Sequence, residues 1–185
     1  PYIILKIASS LDGKSHIESE ERTIITSKAS RYDVQILRAS CDAILTGGNT
    51  LRNDNPRMNA RVNFPTNQPK KILLTSKDCD KELNFFKDND VQIYKNKDLA
   101  QIIKSFKDQD FCSILIEAGP KLANSFLELG LVDEIISYTS NNELGDKAVS
   151  WFKENNAIEN YGFKLESSYK IGGDVKETFI KNEKK

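Results

Sequence analysis

The chain has no excess of charge of either sign: Lys and Arg number 27, Asp and Glu number 27, and the formal net charge is zero. That excludes the broad basic field with which proteins gather nucleic acid or anionic membrane. No apolar run approaches the roughly 20 residues needed to span a bilayer. The first residues also lack the basic start and long apolar segment of a signal peptide, so the cytosol is the expected compartment. Cysteine is scarce. Cys41, Cys79 and Cys112 are odd in number and widely spaced, which fits neither a disulfide framework nor a zinc site and predicts free thiols, with Cys112 in the core. Internal repeats and the G-x-G-x-x-G fingerprint of a Rossmann domain are absent, and so are low-complexity tracts, apart from the charged end. What is present is 185 residues of 38% hydrophobic composition, enough for one α/β domain with a sizeable core.

The most informative stretch is Glu117-Ala118-Gly119-Pro120-Lys121-Leu122-Ala123-Asn124-Ser125. Before it, Ser113-Ile114-Leu115-Ile116 reads as a short buried strand. After it, Leu122, Phe126 and Leu129 recur at helical spacing, with Pro120 suited to the first turn. A strand, a glycine turn and a helix N-terminus make an anion site, and Glu117 stands at its mouth. Tyr2 to Ala8 is apolar on both faces and predicts a central strand. Lys6 interrupts it, and its ammonium either reaches out to solvent or meets a carboxylate or phosphate.

Thr26-Ser27 caps a predicted helix from Lys28 to Ala39. Arg31 and Arg38 share a face of it, which is either solvated or able to grip a phosphate bidentately. Further strands are predicted at Asp42–Thr46, Lys71–Thr75, Val91–Tyr94 and Asp133–Thr139, with an amphipathic helix over Leu99–Phe106. Gly47-Gly48 follows its strand directly, permitting a tight turn or a close ligand. Thr50 to Asn53 predicts a helical turn stopped by Asp54-Asn55-Pro56. Phe163–Tyr169 and Val175–Ile180, separated by Gly172-Gly173-Asp174, predict a hairpin. Trp151 and Phe152 read as packing residues. The sheet should be mixed.

In this order, Lys6-Ile7-Ala8-Ser9-Ser10-Leu11-Asp12-Gly13-Lys14, Ile25-Thr26-Ser27, Asp33 to Ala39, Asp42 to Thr46, Asp54-Asn55-Pro56, Glu117-Ala118-Gly119 and Gly130 to Glu134 resemble the reductase domain of the bacterial bifunctional riboflavin-biosynthesis deaminase-reductase. The resemblance implies a dihydrofolate-reductase-like fold: a twisted mixed sheet flanked by helices, closed by a C-terminal antiparallel hairpin, with residues 1–185 as a single reductase domain. It implies NADPH-dependent reduction of 5-amino-6-(5-phosphoribosylamino)uracil at the ribose C1′, and a homodimer. The implied cofactor contacts fall on Ala8, Ile24, Thr50, Asp54, Ser76, Gly119, Pro120, Lys121, Leu122, Ala123, Asn124 and Ser125. Substrate contacts fall on Arg22, Arg38, Met58, Arg61 and Glu117, with Arg38 and Arg61 as a phosphate clamp. Lys6, Asp54 and Glu117 become the catalytic candidates, Lys6 pairing with Asp54 or Glu117. No metal is implied.

Three positions depart from the family pattern. Ile24 stands where the family often has Trp, Arg22 where it often has Ser, and Asn141-Asn142 where a Pro-Lys pair is usual. Deaminase chemistry needs His-x-Glu and a Pro-Cys-x-x-Cys pair. His16-Ile17-Glu18 has no such cysteines beside it, so any deaminase partner is separate or fused from elsewhere. Two other readings stay open: a diaminopyrimidine or dihydrofolate-type reductase of the same fold, and a degenerate dinucleotide-binding module.

Overall fold

Alternating apolar side chains on two faces make β1 (Tyr2–Ser9) the spine of the sheet. Ile3, Leu5 and Ile7 enter one core cluster and Ile4 the other, as expected for a strand covered on both sides. The computed structural model describes residues 1–18, 23–87, 91–95, 98–152 and 156–182. On one side of β1 lie β6 (Ser113–Ile116), β3 (Ala43–Gly47), β4 (Lys70–Leu74) and β5 (Val91–Tyr94), all parallel. On the other side β7 (Glu134–Thr139) is parallel, and the hairpin of β9 (Phe163–Ile171) and β10 (Asp174–Lys181) completes an eight-stranded mixed sheet. Its order is β5-β4-β3-β6-β1-β7-β10-β9.

One face packs α3 (Leu99–Ser105) and α4 (Pro120–Glu128), through Ile102, Phe126 and Leu127. The opposite face packs α1 (Lys28–Ala39) and α2 (Gly48–Asp54), with Val34, Leu37, Leu51, Met58 and Phe85 over Ile44, Leu73, Leu115 and Ile136. Ser27 caps α1 through Ser30 N, and the buried Asp174 carboxylate accepts from Ser27 N at 2.7 Å and Ser30 Oγ at 2.5 Å. The C-terminal hairpin thus seats a negative group at the positive end of α1.

Several expectations need correction. A second, two-stranded sheet of β2 (Lys14–Ile17) and β8 (Ala148–Ser150) went unforeseen. Its pairing is long-range and its strands too short to show a period. Helix α4 ends at Glu128, leaving Leu129 58% exposed, so Ala123, Phe126 and Leu127 form its buried stripe instead. Cys112 is exposed and Cys41 is the buried thiol, because Cys112 precedes β6 rather than lying in it. Helix α2 begins at Gly48, two residues before the predicted turn. A Cβ on Gly48 would meet Thr75 Oγ1 at 2.5 Å, so its lack of a side chain lets α2 approach the end of β4. Asp174 belongs to β10 rather than to the turn.

Candidate active site

The parallel strands β1, β6 and β3 end on one edge of the sheet, where open α/β sheets hold their ligands. By the two-residue period of a strand, Lys6 lies on the face of Ile4 and Glu117 on that of Leu115. Helix α1 covers this face and brings Arg38 to them. Arg38 donates from Nε to Glu117 Oε1 at 2.5 Å and from Nη2 to Oε2 at 2.8 Å, while Nη1 donates to the Asn59 carbonyl at 3.3 Å. Lys6 Nζ lies 3.6 Å from Glu117 Oε2. The ammonium therefore pairs with Glu117, one of the two carboxylates expected for it.

Burial alone would push the Glu117 carboxyl up. The charges and hydrogen bonds of Arg38 and Lys6 overcome that and hold it at about 2. The Arg38 guanidinium is raised in turn, its own burial penalty outweighed by Glu117. Both effects favour the ion pair, so Glu117 is a carboxylate at neutral pH. Of the two sequence readings of Arg38, solvated or gripping a phosphate, neither describes this arrangement: its planar fork is engaged by a carboxylate. Arg31 donates to the Thr26 carbonyl at the start of α1.

Glu117 N donates to the Leu45 carbonyl at 3.0 Å, setting Glu117 one rung beyond the Leu45–Ile116 pair and therefore beside Thr46. Thr46 Oγ1 is buried with no hydrogen-bond partner among the described residues. Sequence reasoning passed over it, since a threonine in a strand carries no signal by itself.

The chain then crosses to the other face, where α4 starts. Gly119 is its N-cap, Pro120 opens its first turn, and no side chain caps it. Gly119 N donates to Thr50 Oγ1 at 3.2 Å, joining α2 to this turn. A Cβ on Gly119 would approach only Thr50 Oγ1, at 3.9 Å. Lys121 is exposed, Leu122 packs toward Gly47, and Ala123 is buried in the core. The Asn124 amide is used internally, donating to the carbonyls of Pro120 at 2.8 Å and Trp151 at 2.7 Å. Ser125 Oγ donates to the Lys121 carbonyl at 3.0 Å. The Ala8 carbonyl accepts Trp151 Nε1 at 2.6 Å. A buried indole N–H requires an acceptor, the one sequence-level hint that Trp151 does more than pack.

Asp54 is half-buried at the end of α2, and Met58 is buried with φ +53° in the core beneath the site. Ser76 and Arg61 are exposed, and Arg61 N donates to Gln35 Oε1 at 3.1 Å. Ile24 is 70% exposed. Arg22 lies outside the described residues. No helix among the described residues is long and apolar enough to cross a membrane.

Three comparisons bear on this geometry. The riboflavin biosynthesis protein RibD of Buchnera aphidicola is 32% identical, over 95% of this chain and 58% of its own length. The structure of Acinetobacter baumannii RibD superposes with a TM-score of 0.89 at 29% identity, covering 99% of this chain and 58% of that one. A Thermotoga maritima structure, named a diaminohydroxyphosphoribosylaminopyrimidine deaminase/5-amino-6-(5-phosphoribosylamino)uracil reductase, superposes at 0.81 with 21% identity, covering 98% and 57%. The expected dihydrofolate-reductase-like architecture is the fold of this chain, which spans little more than half the length of these relatives. The RibD C-terminal domain matches residues 1–176 in sequence, and on that match this chain belongs to the RibD C-terminal domain family.

Proposed function

We propose that this chain reduces 5-amino-6-(5-phosphoribosylamino)uracil to its ribitylamino product with NADPH, by hydride transfer to C1′ of the opened ribose. The observation that carries the reading is the ion cluster of half-buried Lys6 with buried Glu117 and Arg38, adjoining the uncapped start of α4. The name of the Thermotoga relative supports the substrate, and family membership implies a nicotinamide cofactor.

The residues at α4 fit a dinucleotide diphosphate. The first-turn N–H groups have no intrahelical acceptor, the exposed Lys121 adds positive charge, and the space over Gly119 is open, with Thr50 Oγ1 the sole atom near where a Cβ would stand among the described residues. The cradle narrows to Gly119–Leu122 and Thr50, because Ala123 faces the core and the Asn124 amide and Ser125 hydroxyl are engaged by backbone carbonyls. Ala8, Asp54 and Ser76 extend the site along the strand ends. NADPH bound there would supply the hydride.

Glu117, ionised and acceptor-only, orients the ribose hydroxyls and does not give up a proton. Lys6, with 19% of its side chain exposed, is the acid that faces the opening and donates the proton at the C1′ substituent. Asp54 flanks the reacting carbon from α2. Arg38 contributes by holding Glu117, so the substrate phosphate falls chiefly to Arg61, with Arg22 and Met58 completing the pocket. A homodimer, a separate or fused deaminase partner and a cytoplasmic location complete the reading.

The test is loss of NADPH absorbance with purified chain and the deaminated pyrimidine, beside the undeaminated compound and dihydrofolate. Oxidation with the first alone is expected. Protein that neither binds NADPH nor oxidises it with that substrate would overturn the reading. Light scattering tests the dimer.

A further inference from the structure

The segment after β8 makes a set of contacts that packing alone does not require. Trp151 is the chain's sole tryptophan and is 6% exposed. Its three backbone and side-chain polar groups reach three different parts of the molecule. The indole N–H donates to the Ala8 carbonyl at 2.6 Å, near the end of β1. Its backbone N–H donates to the Gly13 carbonyl at 3.1 Å, in the turn that follows β1. Its carbonyl accepts from Asn124 Nδ2 at 2.7 Å, on α4. Asn124 in turn holds the first turn of α4 through the Pro120 carbonyl at 2.8 Å and accepts Tyr161 Oη at 3.1 Å. One indole and one amide therefore tie the start of α4 to the end of β1, two residues past Lys6.

We propose that Trp151 and Asn124 are positioning residues that set the span between the N-terminus of α4 and the Lys6 end of β1. This rests on the reading of α4 as the cofactor's diphosphate site. The diphosphate and the reactive ring of a dinucleotide are parts of one molecule, so a fixed separation between their two anchors decides how well both are satisfied together. The β6–β1 ladder fixes the chain only as far as the Leu5–Ile116 rung, with Glu117, Ala118 and Gly119 still to come before α4, and α4 itself packs on one face of the sheet through apolar side chains, which are non-directional. The hydrogen bonds through Trp151 give it a direction.

Trp151→Phe keeps an aromatic ring and removes the donor; Asn124→Leu keeps the side-chain size and removes the amide without adding charge beside the diphosphate site. Direct titration with NADPH should show binding about three- to ten-fold weaker in Trp151→Phe, the range for one lost neutral hydrogen bond, and weakened at least as much in Asn124→Leu, which loses the bonds to both carbonyls. The Michaelis constant for the pyrimidine should stay within about twofold. A merely structural role would lower the melting temperature while leaving the NADPH constant of the folded fraction unchanged. In the wild-type chain, NADPH should quench the Trp151 emission. Wild-type NADPH affinity in both variants overturns the inference alone. Failure of the wild-type chain to bind NADPH overturns the functional reading and this inference with it.

Discussion

Arg38→Met isolates the electrostatics of the site. In the wild-type protein Glu117 is buried, and Arg38 supplies two of its hydrogen bonds. Removing the guanidinium leaves a buried carboxylate facing Lys6 at 3.6 Å, and breaking such a pair on one side costs about 3–5 kcal/mol. The sign with pH follows from the depressed carboxyl. It is held at about 2 against an ordinary value of 4.5, so its contribution, about 3 kcal/mol, is fully present above pH 4.5 and disappears as pH falls toward 2. In the variant, burial is opposed by Lys6 alone, the folded carboxyl rises, and that acid-sensitive stability vanishes. Urea denaturation should therefore show a gap of about 3–5 kcal/mol at pH 7 that narrows by about 3 kcal/mol near pH 2. Adding Glu117→Gln removes the stranded charge, so the double variant should regain about 2–3 kcal/mol relative to additivity. A gap below about 1 kcal/mol at pH 7, as for exposed pairs, or one that does not change with pH, would refute the reasoning.

Lys6→Met and Asp54→Asn should lower turnover more than NADPH affinity, since both are assigned to the reacting carbon; unchanged turnover in both would remove them from the chemistry. Arg61→Ala should raise the Michaelis constant for the pyrimidine by the loss of about 1.5–3 kcal/mol for a charged hydrogen bond, and a normal constant would return Arg61 to the surface. Thr46→Val replaces a buried hydroxyl that has no hydrogen-bond partner among the described residues with a methyl group of similar size. It should stabilise the protein by about 1 kcal/mol, and a lower melting temperature would show that the hydroxyl has a partner. Asp174→Ala removes the acceptor for Ser27 N and Ser30 Oγ and should cost about 1–3 kcal/mol, read by thermal denaturation; a neutral result would mean that α1 is capped adequately by Ser27 alone.

The local signals were legible where physical chemistry is local. The two-sided apolar run of Tyr2–Ala8, the Ser27 cap of α1, the Gly119-Pro120 start of α4 and the final hairpin were each readable, because each depends on neighbours within a few residues. Lys6 and Glu117 stood out as charges beside buried strands. The β2–β8 pair was not readable, because Lys14 and Ser150 meet across the whole intervening chain. Trp151 was equally opaque: an aromatic ring in sequence announces burial, not which carbonyl its N–H will find. Leu129 shows the opposite error, since a helical period persists on paper after the helix has ended.

By itself, the amino-acid order determined the alternation of strands and helices, the mixed sheet with its closing hairpin, and the presence of charged side chains near the strand ends, all set by periodicity and turn chemistry. Only the tertiary structure decided their partners. The guanidinium of Arg38 closes on Glu117 because α1 crosses the face of the sheet on which Leu115 and Ile4 lie. The same chain reversal at Gly119 sends α4 to the other face. A buried charge must be matched by whatever group the fold brings within reach, and that proximity, unlike a period, is written nowhere along the chain.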